Sequence, residues 1–461
     1  MFKSSPKLGR TETVRFLPSQ IPGPGDVPLA YTATPSKLLW SDAKLTWRCL
    51  GYLPQIVTPF IPRNQLDEIW PVPRNILIVI VHTILVILEL IFLVSLPFTI
   101  TFPAGLAVIY IAGFLLLIGL ITRCLNSSDK FFVSHVPLFN HRQEHDKEHW
   151  VFLNGVGVGK TTLQENLDRL SITFGRRIHG IHNLTDGILF DLIECLIQRN
   201  FCYATQDIRD AYEQIKTALL EPKYEKIVLI LHSQGGIEGS LIIDWLLAEL
   251  PQDAFSHLEI YTFGNAANHF NNPCRSRDTA AAEQGMRPAT TSPEPDLGED
   301  PKAPSSERAI RYVEHYANTD DFVSRLGVLN YANVPNRYAG RIFERYGSGH
   351  LINQHYLDHI FPLNSENNAC EDVSPFMETE VELGLTSGPT GKEVNGERRE
   401  SLLEELTEAV EINGNRTGNT VVSDDSGVVK LVTRKTFPAG PLKVKHLSRL
   451  WMYRNGMSPP S

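Results

Sequence analysis

Two long uncharged runs stand out from the alternating pattern of the rest of the chain. Residues 75–97 and 104–121 are apolar, and Glu89 is the only Asp, Glu, Lys or Arg between Arg74 and Arg123. As helices they measure roughly 34 and 27 Å, enough to cross a hydrocarbon core of about 30 Å with some tilt. Only the short turn 98–103 separates them, so both ends of this predicted hairpin emerge on one side. Lys44, Arg48, Arg63 and Arg74 precede it and Arg123 and Lys130 follow, which assigns that side to the cytosol by the positive-inside rule. The uncharged turn between Pro97 and Pro103 fits equally a hairpin that dips into the bilayer without crossing. The competing expectation is a buried helical hairpin in a soluble core.

From His149 onward the period changes. Short β-branched runs predict strands at 149–154, 177–182, 226–231, 258–263 and 310–316, and amphipathic stretches predict helices at 161–174, 187–199, 208–220 and 236–250. That order predicts an α/β fold, a mostly parallel sheet with helices on both faces. Reactive groups then belong at the carboxyl ends of the strands.

Five regions follow. Residues 1–70 read as a mobile N-terminal region, with Trp40, Trp47, Tyr52 and Trp70 marking an aromatic interfacial segment, although a compact core over 37–70 fits equally. The transmembrane or re-entrant hairpin occupies 71–123 and the α/β domain 149–363. That domain is interrupted at 271–308 by a Pro-, Ser- and Asp-rich stretch expected to be disordered. A mostly disordered acidic linker is expected over 364–428, relieved by an amphipathic helix at 400–412. The basic segment 429–461 carries a strand at 429–437 and a helix at 443–453, which either meets anionic lipid or packs back on the domain.

Charge narrows the partners. A formal net charge of -9 over 461 residues and a pI near 5.9 argue against nucleic acid, whose phosphates select clustered Lys and Arg. The six cysteines show neither paired metal-ligand spacing nor a disulfide framework, which fits a reducing compartment and no metal.

The candidate chemistry begins where the strand at 226–231 runs into His232-Ser233-Gln234-Gly235-Gly236 and then a helix, the pattern of a nucleophile elbow. A serine hydroxyl is a weak nucleophile and needs a base, itself oriented by an acid. In chain order after Ser233 these are Asp321, in Asn318-Thr-Asp-Asp-Phe-Val323, and His350, in Tyr346-Gly-Ser-Gly-His-Leu351. Asp320 and His355 are the alternatives. His355 and His359 fall within a predicted helix, so packing roles are expected for them. The oxyanion donors expected are the N–H of Gln234 and one from the loop Asn154-Gly155-Val156.

Taken together, Phe152-Leu-Asn-Gly155, His182-Asn-Leu-Thr-Asp-Gly187, Leu231-His-Ser-Gln-Gly-Gly236, Tyr261-Thr-Phe-Gly264, Asn318-Thr-Asp-Asp-Phe-Val323 and Gly349-His350 resemble α/β-hydrolase-fold proteins of fungi, of the lipase or esterase type. The resemblance covers about 149–363 and implies ester, thioester or acyl-transfer chemistry without cofactor or metal. With the hairpin, it implies a membrane-tethered enzyme whose catalytic domain faces the cytosol and whose substrate is a lipophilic acyl compound. One departure is Leu231, where the usual Gly-x-Ser-x-Gly has its first glycine; a bulky side chain there demands compensating space.

Two other function classes compete. A membrane-bound interaction protein on an inactive hydrolase fold is one, since fold alone does not establish function. The other is a nucleotide-binding protein, because Asn154-Gly-Val-Gly-Val-Gly-Lys-Thr161 is one substitution from a phosphate-binding loop. Neither 226–231 nor 258–263 ends in the aspartate that would hold magnesium.

Overall fold

The structure, a computed structural model, describes residues 13–19, 33–138, 140–273, 308–332, 334, 336–384, 419–423, 429–433 and 436–460. A strand, β1 (Thr13–Leu17), and a helix, α1 (Pro35–Cys49), precede the apolar hairpin of α2 (Pro73–Ser95) and α3 (Ala104–Thr122). Then come β2 (Phe131–Val133), β3 (Glu148–Leu153), α4 (Lys160–Phe174), β4 (Ile178–Ile181), α5 (Ile188–Phe201), α6 (Gln206–Leu220), β5 (Lys226–His232) and α7 (Gln234–Glu249). They are followed by β6 (Leu258–Phe263), β7 (Tyr312–Asn318), β8 (Arg341–Arg345) and β9 (Glu380–Leu383).

The protein is a mixed α/β fold built on a nine-stranded sheet in the order β2-β4-β3-β5-β6-β7-β8-β1-β9. Its six central strands, from β4 across to β8, are mutually parallel, β2 runs antiparallel to β4 and β1 to β8, and β9 is parallel to β1. Both faces of the central strands are buried, which is why they read as continuous apolar runs. Alternate residues feed two cores. Trp150, Phe152, Val228 and Ile230 point to one, and Val151, Leu153, Leu229 and Leu231 to the other. The second is sealed by α6, whose Ile208, Ala211, Ile215, Ala218 and Leu219 form a single buried stripe.

Chain order reverses about β3, with β4 on one side and β5 on the other. In open α/β sheets such a reversal marks the ligand-binding position, here beyond the carboxyl ends of β3 and β5.

The sheet reaches beyond the boundaries 149–363. β1 lies in the region expected to be mobile, yet it pairs Arg15 with Glu344 and Thr13 with Glu380, partners hundreds of residues away. The reason is tertiary: Val14 and Phe16 are buried in the first core, and a five-residue segment has no stability without its neighbours. β9 likewise comes from the expected linker. The segment after 441 packs back on the domain, burying Val444, Leu447, Trp451 and Tyr453, while Lys443 and Lys445 are ion-paired with Glu378. In place of the single helix over 443–453 it forms two short ones, Val444–Leu447 and Leu450–Gly456. The strand at 429–437 is divided between Val429–Thr433 and Thr436–Pro441, in a separate three-stranded sheet with Asn419–Ser423. The disorder expected over 274–307 and 385–418, and the helix expected at 400–412, lie outside the described residues.

Both hairpin helices are long and apolar enough to cross a membrane, with mean hydropathies of 3.0 and 2.6.

Candidate active site

Ser233 joins β5 to α7 with φ 58° and ψ -119°, a conformation that costs a non-glycine residue of order 1–3 kcal/mol and persists only where its surroundings enforce it. They do so here. The Ser233 N–H donates to the Phe263 carbonyl at 3.1 Å, and its own carbonyl accepts from Gly236 and Ala266. The β3–α4 loop lies against it, because a Cβ on Gly155 would sit 3.0 Å from the Ser233 Oγ. The N–H groups of Gly155 and Val156 make no hydrogen bond among the described residues.

Leu231 finds its room on α7. It is fully buried, and a Cβ on Gly239 would overlap its Cδ1. The glycine missing before the serine is thus matched by one in the second turn of the next helix.

His350 and Asp321 converge from the far side of the sheet. His350 Nδ1 lies 2.8 Å from Asp321 Oδ2. That carboxylate is fully buried and accepts also from Tyr356 Oη at 2.7 Å, Ser324 Oγ at 2.9 Å and the Val323 N–H at 2.9 Å. Burial alone would raise its pKa, but the His350 charge and these donors outweigh it and hold the carboxyl below its ordinary value. A carboxylate only accepts, so Nδ1 is the donor of this pair, and in the neutral ring that leaves the lone pair on Nε2. Nε2 is buried and has no hydrogen-bond partner among the described residues, Ser233 Oγ included; such contacts are often long before substrate binds.

The His350 backbone is fixed from two directions. Its N–H and that of Gly349 donate to the carbonyls of Ile56 and Gln55, in and beside the short helix Leu50–Ile56 that follows α1. Its carbonyl meets His232 Nε2 at 2.8 Å, and the two imidazoles stack with centroids 4.7 Å apart. Burial, helped by the His350 charge, pushes His232 down to about 3. His232 therefore stays neutral against the His350 ring. His350 itself precedes a π-helical turn at Ile352–Leu357 rather than a regular helix.

The alternatives lie elsewhere. Asp320 faces Arg325 at 3.3 Å. His355 takes the Leu351 N–H on Nδ1, points Nε2 at the Pro59 carbonyl, and is held near 4 chiefly by burial. His359 contacts Arg63.

Two supporting residues escaped sequence reasoning. Asp191, in the first turn of α5, accepts from Gly157 N–H at 3.0 Å, Thr185 Oγ1 at 2.7 Å and Asp186 N–H at 2.9 Å. Asn154 exchanges hydrogen bonds with the Asn183 backbone in both directions. Between them they lash the loop after β3 to the loop after β4. The only signal was an acid in the first turn of a helix whose next residues are mostly apolar.

The same bonds bear on the phosphate-loop likeness. Of the N–H groups that would face a phosphate, Gly157 donates to Asp191 and Lys160 to the Leu125 carbonyl. The first of these puts a carboxylate where an anion would have to sit. Among the described residues no cluster of His, Cys, Asp or Glu is arranged to hold a metal ion. An apolar cleft of about 430 Å³ between α1 and α5 is lined by Leu39, Ala43, Thr46, Trp47, Leu50 and Leu196, none of them a site residue. No protein-family model, curated protein or solved structure matches the chain.

Proposed function

We infer that this protein is a membrane-tethered serine hydrolase of the α/β-hydrolase type, acting on an ester, thioester or lipid acyl group. The observation that carries the reading is Ser233, held at positive φ between strand and helix and bonded to the Phe263 carbonyl, next to Gly264, against which the bonded pair of His350 and buried Asp321 packs. In the proposed cycle the Ser233 hydroxyl oxygen attacks the acyl carbonyl carbon while His350 Nε2 takes its proton. The tetrahedral oxyanion is met by the N–H groups of Gln234 and of Gly155 or Val156. Its collapse breaks the bond to the leaving group, which receives the proton from His350. Water or an alcohol, deprotonated by the same nitrogen, then releases the acyl group and restores the serine. Asp321 stabilises the imidazolium and fixes its tautomer throughout. Attachment to a bilayer favours substrates that partition into it, hence the lipophilic acyl compound.

The test is fluorophosphonate labelling of the full-length protein extracted from membranes. Labelling is expected for the native chain and for Lys160→Ala, and is expected to vanish in Ser233→Ala and fall by at least about 10³-fold in His350→Ala. A folded native chain that takes no label would refute the reading and leave the inactive interaction protein in its place.

A further inference from the structure

The hairpin is not free of the domain it precedes. Three polar side chains of α2, those of Arg74, His82 and Glu89, meet the domain, while exposed Thr83 bonds back to the Val79 carbonyl of its own helix. Arg74 is ion-paired with Glu165 of α4. The His82 ring lies against Gly157. Glu89 is fully buried and accepts the Leu189 N–H at 3.0 Å, capping the first turn of α5. Gly187, at φ +108°, leaves it just enough space, since a Cβ there would overlap Glu89 Oε1. Beyond it, Phe92 meets Phe190 edge to face at 5.9 Å. The return helix comes back to the same place, where Leu125 accepts the Lys160 N–H and Asn126 pairs with the Thr185 backbone.

From Arg74 to Phe92 these contacts run along about 27 Å of α2, nearly the whole hydrocarbon thickness of about 30 Å. An upright, membrane-crossing α2 would therefore carry the start of α5 with it into the hydrocarbon. Exposed Asp186 and the loop backbone beside it would lie near the depth of Glu89, without water to satisfy them. The opposite faces behave differently. Leu90 and Val94 of α2, Ile109 and Leu116 of α3, and Phe98 and Ile100 in the turn are each more than half exposed, so the hairpin presents an apolar surface on the side away from the domain.

We propose that the hairpin enters a single leaflet and stays docked on the α/β domain, making the protein monotopic. The partner of its outer surface is the acyl region of that leaflet. α1 extends the surface at headgroup level: it is pinned to α5 by the ion pair of Asp42 with Arg199, while Trp40 and Trp47 remain 64% and 77% exposed. Because His82 lies against Gly157, two residues beyond the Gly155 that packs on Ser233, the candidate site adjoins the lipid-facing hairpin.

The experiment reads topology and is indifferent to whether Ser233 is active. Full-length Thr99→Cys protein in sealed vesicles is treated with a membrane-impermeant maleimide before and after permeabilisation, and modification at residue 99 is read by peptide mass spectrometry. A monotopic hairpin gives no gain on permeabilisation; a several-fold gain, appearing only when the reagent reaches the face opposite the Ser233 domain, would overturn the proposal. Retention of the native protein through an alkaline carbonate wash is also expected, with release of the Ile109→Asp, Leu116→Asp double variant. Native protein that washes off would equally overturn it. Fluorophosphonate labelling of the same samples reports separately on the hydrolase reading.

Discussion

Glu238 lies one turn into α7 from Gln234, fully buried, with neither carboxyl oxygen partnered among the described residues. Burial first, then the Asp207 and Glu194 carboxylates, push its pKa well above the ordinary range. The folded chain keeps it protonated while the unfolded chain releases that proton near pH 4.3. The native state thus binds the extra proton, and stability falls as pH rises above that value. Glu238→Met removes the titration without leaving a polar group unsatisfied. The Tm of the variant in detergent, relative to the native protein, is expected to climb between pH 4 and pH 7; a difference that stays flat would mean an ionised, partnered carboxylate. At this scale the candidates Ser233, Asp321 and His350 could be nominated from residue type and chain order, and the structure bonds the last two to each other. The roles of His232, Asp191 and Tyr356 were not legible, because each is defined by a partner remote in sequence.

At the scale of elements, the strand–helix unit around Ser233 shows how a motif departure is accommodated. Leu231 fills the space that Gly239 leaves open, so the two positions form a size-complementary pair across β5 and α7. Gly239→Ala is expected to destabilise by about 1–3 kcal/mol through overpacking, even though alanine is the better helix former. Combining it with Leu231→Ala should show a favourable coupling of about 1 kcal/mol in a double-mutant cycle; additive losses in chemical denaturation would mean that the two side chains do not compete for space. Most other elements lay within two residues of expectation, since a buried parallel strand and an amphipathic helix differ clearly in period. α7 was misplaced more revealingly. It begins at Gln234 rather than Gly236 because the elbow turns directly into the helix. β1, β2, β8 and β9 were not predicted; for β1 and β9 the pairing is non-local, and periodicity carries no information about register across some 330 residues of chain.

Across the whole molecule the sheet has two unlike ends. The carboxyl ends of its central strands carry the candidate site, whereas the amino ends hold a buried charge network closed by the C-terminal segment. There Arg449 bonds Glu259 at 3.0 Å through Nε, its backbone N–H donates to Glu314, and Tyr453 and Tyr261 donate to the second oxygen of Glu259. Arg449 is 2% exposed, so removing its side chain strands a carboxylate that water cannot reach. Arg449→Ala is expected to cost about 3–5 kcal/mol, while Arg449→Met with Glu259→Gln, which abolishes both charges and keeps the tyrosine acceptor, should recover at least half of that. Urea unfolding midpoints of the detergent-solubilised variants measure both. Equal losses in the single and double variants would show that the segment is held by apolar packing around Trp451 and Tyr453. In either case fluorophosphonate labelling of whatever fraction remains folded should be unchanged, because the network and Ser233 lie at opposite ends of β5 and β6.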